Sequence, residues 1–241
     1  MTDPETGNRS VTRALDVLEL LSANEEPLGL ADVARALDLP KSSVLNLLRA
    51  LVAREFVRAA PDGRYSLGVR SFEVGSAYLR RITPVGAAES ELRALTEELG
   101  MTSHFAVLHD DKVVYLAKHD PPGAVIGLAS SLGARLAAAT TAVGKAQLAH
   151  AREVSVPVSA ELAAELDRVR HDGFAVDSGV TATGIECVAA PVFGGDGCCG
   201  AIGVSYLKHG APDGAPDGAQ VGAAVLAAAG RASVRLGGGA R

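Results

Sequence analysis

Apolar residues recur at three- and four-residue spacing over Val11, Ala14, Leu15, Leu18 and Leu21, which predicts a helix from a cap at Ser10 to about Ala23 with that face buried. Asn24-Glu-Glu-Pro27 ends it. A second helix, about Leu30–Leu37, turns Val33, Ala34 and Leu37 inward and stops at Asp38-Leu-Pro40, because the residue before a proline is pushed out of the helical region. A third runs from Lys41 or Ser42 to Arg54 with Val44, Leu47, Leu48 and Leu51 as its apolar stripe. Phe56–Ala59 and Arg64–Leu67 then read as strands about the turn Pro61-Asp-Gly63, where glycine supplies a positive φ. Three short helices followed by a hairpin predict a winged helix-turn-helix over residues 9–68, preceded by a disordered tail over 1–8.

Residues 69–83 form a polar, helix-prone stretch that reads as a linker helix, and a second unit is expected over 84–241. It opens on an amphipathic helix, about Val85–Leu99, ended by Gly100. Strands are expected at Thr102–His109, Val113–Lys118 and Ala124–Ala129, with Asp110-Asp111 as the turn between the first two. Thr140 or Thr141 caps a helix reaching about Ala151, and Ser159 caps another over Ala160–His171. Strands at Ile185–Phe193 and Gly200–Leu207 and a helix over Gly218–Leu236 complete the pattern, while the repeated Gly-Ala-Pro-Asp between Gly210 and Asp217 reads as a surface connection. Helices flanking antiparallel strands predict an α+β sensor-like domain.

The chain has 241 residues and a formal net charge of −5. No apolar run is long enough to span a membrane, and the N-terminus lacks a signal-peptide pattern, so a cytoplasmic protein is expected. Three cysteines, two of them adjacent (Cys187, Cys198, Cys199), argue for reduced thiols. The charge is uneven. Residues 1–81 hold eleven basic and eleven acidic side chains, so the whole deficit lies in residues 82–241, with twelve against seventeen. Between Leu39 and Arg70, Lys41, Arg49, Arg54, Arg58, Arg64 and Arg70 face only Glu55 and Asp62. That local excess points to nucleic acid, and the absence of tryptophan with few other rings favours duplex over single-strand binding.

On the third helix the polar residues lie off the apolar stripe. Lys41 and Ser42 are placed to hold phosphates, Ser43 and Asn46 to read base edges, and Arg49 to follow them, with Arg64 at the wing and Arg13 on the first helix as further DNA contacts. A winged helix that binds protein instead of DNA is the alternative. Threonines and small residues in Thr140-Thr-Ala-Val-Gly-Lys145 leave amides at a helix start where a carboxylate is favoured, so a small organic acid is the expected ligand.

Enzyme signatures fail on context. A P-loop ending in Gly144-Lys145 needs glycine at 139 and a hydroxyl at 146, where the chain has Ala139 and Ala146. Gly195-Asp-Gly-Cys-Cys-Gly200 leads into a strand and reads as a hairpin turn. No nucleophile elbow or paired-histidine metal motif occurs, and adjacent Cys198 and Cys199 point to opposite sides of a strand. Neither an enzyme, nor a cofactor, nor a metal site is expected.

Several segments resemble one known family. Ser10-Val-Thr-Arg-Ala-Leu-Asp-Val-Leu-Glu-Leu-Leu21, Leu39-Pro-Lys-Ser-Ser-Val44 and Gly63-Arg-Tyr-Ser-Leu-Gly68 are similar to the N-terminal domain of IclR-type transcriptional regulators. Thr141-Ala-Val-Gly-Lys-Ala146 and Gly184-Ile-Glu-Cys-Val-Ala-Ala-Pro-Val192 resemble the same family's effector domain. The resemblance implies a GAF-like C-terminal fold, a homodimer or dimer of dimers on a palindromic operator, and an effector pocket formed by Leu136, Ala138, Ala142, Val143, Ile185, Cys187, Gly203 and Ser205. Cys187 and Ser205 would donate hydrogen bonds there. Three positions depart from the family pattern: Leu45-Asn46 replace an aromatic or histidine followed by arginine, Ser178–Thr183 lack the usual acidic residues, and Gly203 stands where the last strand often has a serine.

Overall fold

A computed structural model describes residues 8–80, 83–123, 131–154, 156–181, 183–207 and 218–238, to which all counts below refer. The chain divides into two compact units at Arg81/Ile82. The first holds helices α1 (Arg9–Ser22), α2 (Leu30–Ala36), α3 (Lys41–Ala53) and α4 (Val69–Leu79), with strands β1 (Leu28–Gly29), β2 (Val57–Ala59) and β3 (Arg64–Leu67). Val17, Leu21, Val33, Ala34, Val44, Leu48 and Val57 make its core, so α1, α2 and α3 each contribute two buried side chains to it.

Four details differ from the sequence reading. Asn8, placed in the tail, is the cap of α1, its Oδ1 accepting the Ser10 N–H at 3.1 Å. Val11 and Leu15, expected inside, are more than half exposed, because the helix is rotated to seat Val17 against α3. α2 ends at Ala36, since Asp38 adopts a left-handed φ of 51° and the Leu39 N–H turns back to the Ala34 carbonyl. β1 pairs with β3 to give the order β1-β3-β2; two residues carry no periodicity that could have announced a strand.

The second unit contains α5 (Thr83–Leu99), β4 (Thr102–His109), β5 (Lys112–His119), β6 (Arg135–Ala137), α6 (Ala142–Leu148), α7 (Ala160–Asp172), β7 (Ala175–Ser178), β8 (Ile185–Gly194), β9 (Gly197–Leu207) and α8 (Gly218–Arg235). Six antiparallel strands run β6-β5-β4-β9-β8-β7. On one face Ala106, Ala189 and Ala201 pack under Ala142, Val143 and Ala146 of α6 and Leu162 and Leu166 of α7. The other face meets α5 and α8: Ser103 Oγ donates to the Leu92 carbonyl at 2.7 Å, and Phe193 N–H donates to Ser233 Oγ at 2.9 Å. Helices cover both faces of the sheet, and the alternation of side chains along each strand divides the core between them.

β6 and β7 are three- and four-residue edge strands absent from the sequence reading, and α6 stops at Leu148, short of the expected Ala151. Gly194 and Gly197 pair across the β8–β9 turn, so β9 begins three residues earlier than expected and Gly195–Gly200 is a hairpin. The strand expected at 124–129 and the Gly-Ala-Pro-Asp repeat lie outside the described residues. Small residues set the approach of α6: a Cβ on Gly144 would stand 2.1 Å from the Ala138 carbonyl oxygen.

Glu91 fastens α5 to α8. Its side chain is 5% exposed and accepts from Arg231 at 2.7 Å and Arg235 at 2.5 Å. Burial pushes the carboxyl up, but the hydrogen bonds and charges of the two guanidinium groups together hold it below its ordinary value of 4.5. A lowered carboxylate stabilises fully above the unfolded value and loses that contribution as the pH falls through the lower folded one. Urea midpoints of the second unit should therefore drop below about pH 4.5, and Glu91→Gln should flatten that drop while costing about 2 kcal/mol at neutral pH, the arginines being half exposed. An unchanged pH profile in the variant would remove Glu91 from this role.

Candidate functional site

Two surfaces collect the residues that sequence reasoning singled out. On the first unit, Lys41, Ser42, Asn46 and Arg49 project from α3 on its exposed side, opposite buried Val44 and Leu48, and Ser43 is half-buried beside them. Pro40 begins the helix with no side-chain cap, and its carbonyl accepts the N–H groups of Ser43 and Val44. The amides of Lys41 and Ser42 have no acceptor among the described residues, so they and the lysine ammonium present donors at the positive end of a thirteen-residue helix. None of Lys41, Arg49, Arg54 or Arg58 has an ion pair among the described residues, which leaves their charge available for phosphate.

Arg64 opens β3 beside the wing turn with its side chain about half exposed. Its guanidinium donates to the Pro27 carbonyl at 3.0 Å and lies 3.8 Å from Asp62, tying the wing to the α1–α2 connection. Arg58, which the sequence reading counted only as part of the basic stretch, stands exposed on β2 directly across from Ser66. Its signal was the strand alternation: Val57 is buried, so Arg58 must face outward. Arg13 is half-buried on α1.

On the second unit, the sheet register lines up polar side chains. Asp177 of β7 pairs with Cys187 of β8, Cys187 with Ser205 of β9, and Ser205 with Thr102 of β4. Cross-strand partners share a face, so these four form one row on the side covered by α6 and α7. Asp177, Ser205 and Thr102 are buried. Cys187 Sγ and Ser205 Oγ stand 3.1 Å apart, Asp177 accepts the N–H groups of Val180 and Thr181, and Thr102 Oγ1 donates to Asp120 at 2.8 Å. The next row toward the helix is Ala175, Ala189, Gly203 and His104, with Val143 of α6 against Gly203. The polar row therefore lies one step beyond the point where α6 begins. Burial pushes the Cys187 thiol up to about 11, so it is a neutral donor. Burial, then Cys187 and Asp177, push the Tyr115 hydroxyl up as well, leaving a second neutral donor near the row.

A buried polar row on this sheet face supplies donors and acceptors that packing alone does not require. It contains no nucleophile with an adjacent base, and the described residues hold no cluster of three metal-binding side chains. A separate cleft of about 240 Å³ lies beside Lys145, Glu165, Arg168 and Asp172, where Lys145 Nζ and Glu165 form an ion pair of 2.6 Å.

The IclR helix-turn-helix domain matches residues 10–61, and the C-terminal domain of bacterial IclR regulators matches residues 76–157 and 154–231. The chain belongs to the IclR family of transcriptional regulators. Among its relatives, the regulator BhcR of Paracoccus denitrificans is 30% identical over 205 residues, 78% of this chain and 73% of that one. The repressor IclR of Escherichia coli is 28% identical over 214 residues, 80% and 77% of the two chains. In structure, the chain is similar to an IclR regulator from Alicyclobacillus acidocaldarius, with 27% identity, a TM-score of 0.77 and coverage of 95% and 98%. An IclR homolog from Microbacterium hydrocarbonoxydans complexed with 4-hydroxybenzoate shares the fold, with a TM-score of 0.80 at 20% identity over 94% and 98%. As an IclR-family protein this one is a DNA-binding transcriptional regulator with an effector-binding domain, not an enzyme.

Of the eight effector residues expected in this IclR-family chain, Cys187, Ser205 and Gly203 are neighbours on the sheet, and Val143 and Ala142 cover them from α6. Ile185, two residues before Cys187 on β8, is buried. Leu136 of β6, at the far edge of the sheet and four strands from β8, pairs with Val113 and packs against the same core cluster as Cys187. Ala138 is fully buried and supports the backbone of Gly144. Asp177, Thr102 and His104 were not chosen from the sequence, because a cross-strand row exists only once the register is known.

Proposed function

We propose that this IclR-family regulator binds a palindromic duplex operator as a homodimer or dimer of dimers in the cytoplasm, and that a small organic acid bound on the polar row changes its grip on DNA. The single observation that carries the effector reading is the register of Asp177, Cys187, Ser205 and Thr102 on one covered face. Ser205 and Cys187 donate to the acid; the helix start adds little, because α6 has seven residues and Thr141 Oγ1 already accepts the Gly144 N–H. Lys41, Ser42, Ser43, Asn46 and Arg49 form the DNA surface, with Arg13, Arg58 and Arg64 at its margins.

Assembly is supported by apolar surface that a monomer would leave wet. Val11 and Leu15 on α1 and Val69, Phe72, Val74 and Tyr78 on α4 are exposed, and α4 buries no residue at all among those described. α4 serves as the linker between the DNA-binding domain and the effector domain. Regulation requires that the acid bind two arrangements of the assembly with different affinity.

Selection of bound sequences from random duplex, followed by anisotropy titration with and without a panel of carboxylic acids including 4-hydroxybenzoate, tests this reading. A symmetric selected site whose affinity shifts at least fivefold with one acid is expected. Equal binding to selected and random duplex would overturn the DNA part, and no response to any acid would overturn the effector part.

A further inference from the structure

His104 is the polar side chain on the effector face that the regulator's fold does not use. It is 1% exposed, and its Nδ1 is buried with no hydrogen-bond partner among the described residues. Its ring stands edge-on to Tyr115 with centroids 5.2 Å apart. Across the ladder lies Gly203, where a Cβ would come within 2.8 Å of His104 Nε2 and 3.1 Å of both Ala189 Cβ and Val143 Cγ1. The imidazole thus occupies the space that any side chain at position 203 would need. Glycine there and histidine at 104 are one arrangement, which puts a ring nitrogen where a serine hydroxyl would otherwise reach the face.

We propose that His104 sets the ligand class of the effector site, selecting a small monocarboxylic acid that carries a hydroxyl group. The inference rests on the effector reading above and adds the identity of the second fixing point. Burial first, and Lys118 second, depress the imidazole to about 4, so the ring is neutral and offers one N–H and one lone pair. A hydroxyl can both donate and accept and therefore serves either tautomer, whereas a carboxylate can only accept. The nearby charges also disfavour a second carboxylate. Lys118 is already held by Asp120 at 3.0 Å and so is not available to pair with one. A bound hydroxyl would supply the partner that the His104 ring lacks in the fold.

Calorimetric titration of the full-length protein with three matched pairs, lactate and propionate, 3-hydroxybutyrate and butyrate, and mandelate and phenylacetate, tests the assignment. In at least one pair the hydroxy acid should bind about tenfold more tightly, the net value of one hydrogen bond. His104→Leu should bind both members of that pair equally, and His104→Gln, which keeps a donor and an acceptor, should retain part of the preference. The pair His104→Ala with Gly203→Ser, which restores a hydroxyl from the other strand, guards against a folding defect and should recover discrimination. Acids that bind without preference for the hydroxyl, or a preference that survives His104→Leu, would overturn the role of His104 and leave the effector reading standing. If none of the six acids binds, both are overturned.

Discussion

Alanine at position 144 is expected to destabilise the C-terminal unit by about 3 kcal/mol, the upper range for a group forced into a packed interior. The obstacle is backbone, not a flexible side chain: the added methyl would lie 2.1 Å from the Ala138 oxygen and 2.5 Å from its Cα. Neither can yield without moving β6 or lifting α6 from the sheet. Because Val143 closes over Gly203 next to the polar row, the same displacement should open the proposed effector site, and ligand-induced stabilisation should vanish with the native midpoint. Urea unfolding of Gly144→Ala followed by tyrosine fluorescence would measure it. A loss under 1 kcal/mol would mean that α6 is free to slide, and its tight seating would then not be what shapes the site.

The second large effect concerns DNA. Lys41→Ala should weaken operator and random duplex alike and lower the slope of log affinity against log salt by about 1 per protomer, since it removes one phosphate contact. Asn46→Ala should leave that slope nearly unchanged and reduce the ratio of operator to random affinity about 100-fold for a dimer, taking about 1.4 kcal/mol at each half-site. The contrast comes from position. Lys41 lies at the uncapped start of α3, where its amide has no acceptor among the described residues, while Asn46 projects from its exposed middle. Titrations across a salt series would separate the two; identical behaviour of both variants would show that α3 does not enter a groove in this orientation.

Long elements announce themselves in the sequence, and the shortest do not. β4 over Thr102–His109 and β3 over Arg64–Leu67 have the limits that alternation and flanking turns indicate, and α7 begins after its Ser159 cap and runs one residue past the expected His171, with Gly173 closing it at a φ of 82°. Elements of two to four residues at sheet edges, β1, β6 and β7, gave no periodic signal. Where a stripe was wider than one face, as on α1, composition could not tell Val17 from Val11. The exposed polar residues of α3 were legible because a single helix sets their common face through a fixed period. The proposed effector face was legible only in part, because its row draws one residue from each of four strands distributed between Thr102 and Ser205 in the chain.

By itself the sequence determined the two-part architecture, the helix that carries the basic excess, and the family to which the motifs of both halves belong. Those follow from local periodicity, capping and charge, which need only neighbours along the chain. Tertiary structure decided that Arg64 is tied to Pro27 while Arg58 has no ion pair among the described residues, that Leu136 lies on the sheet edge four strands from Cys187, and that Asp177, Cys187, Ser205 and Thr102 form one row. It also joined His104 to Gly203, 99 positions later, as two halves of one packing solution. Strand register carries this information, and a shift of one residue would turn every one of these side chains to the opposite face.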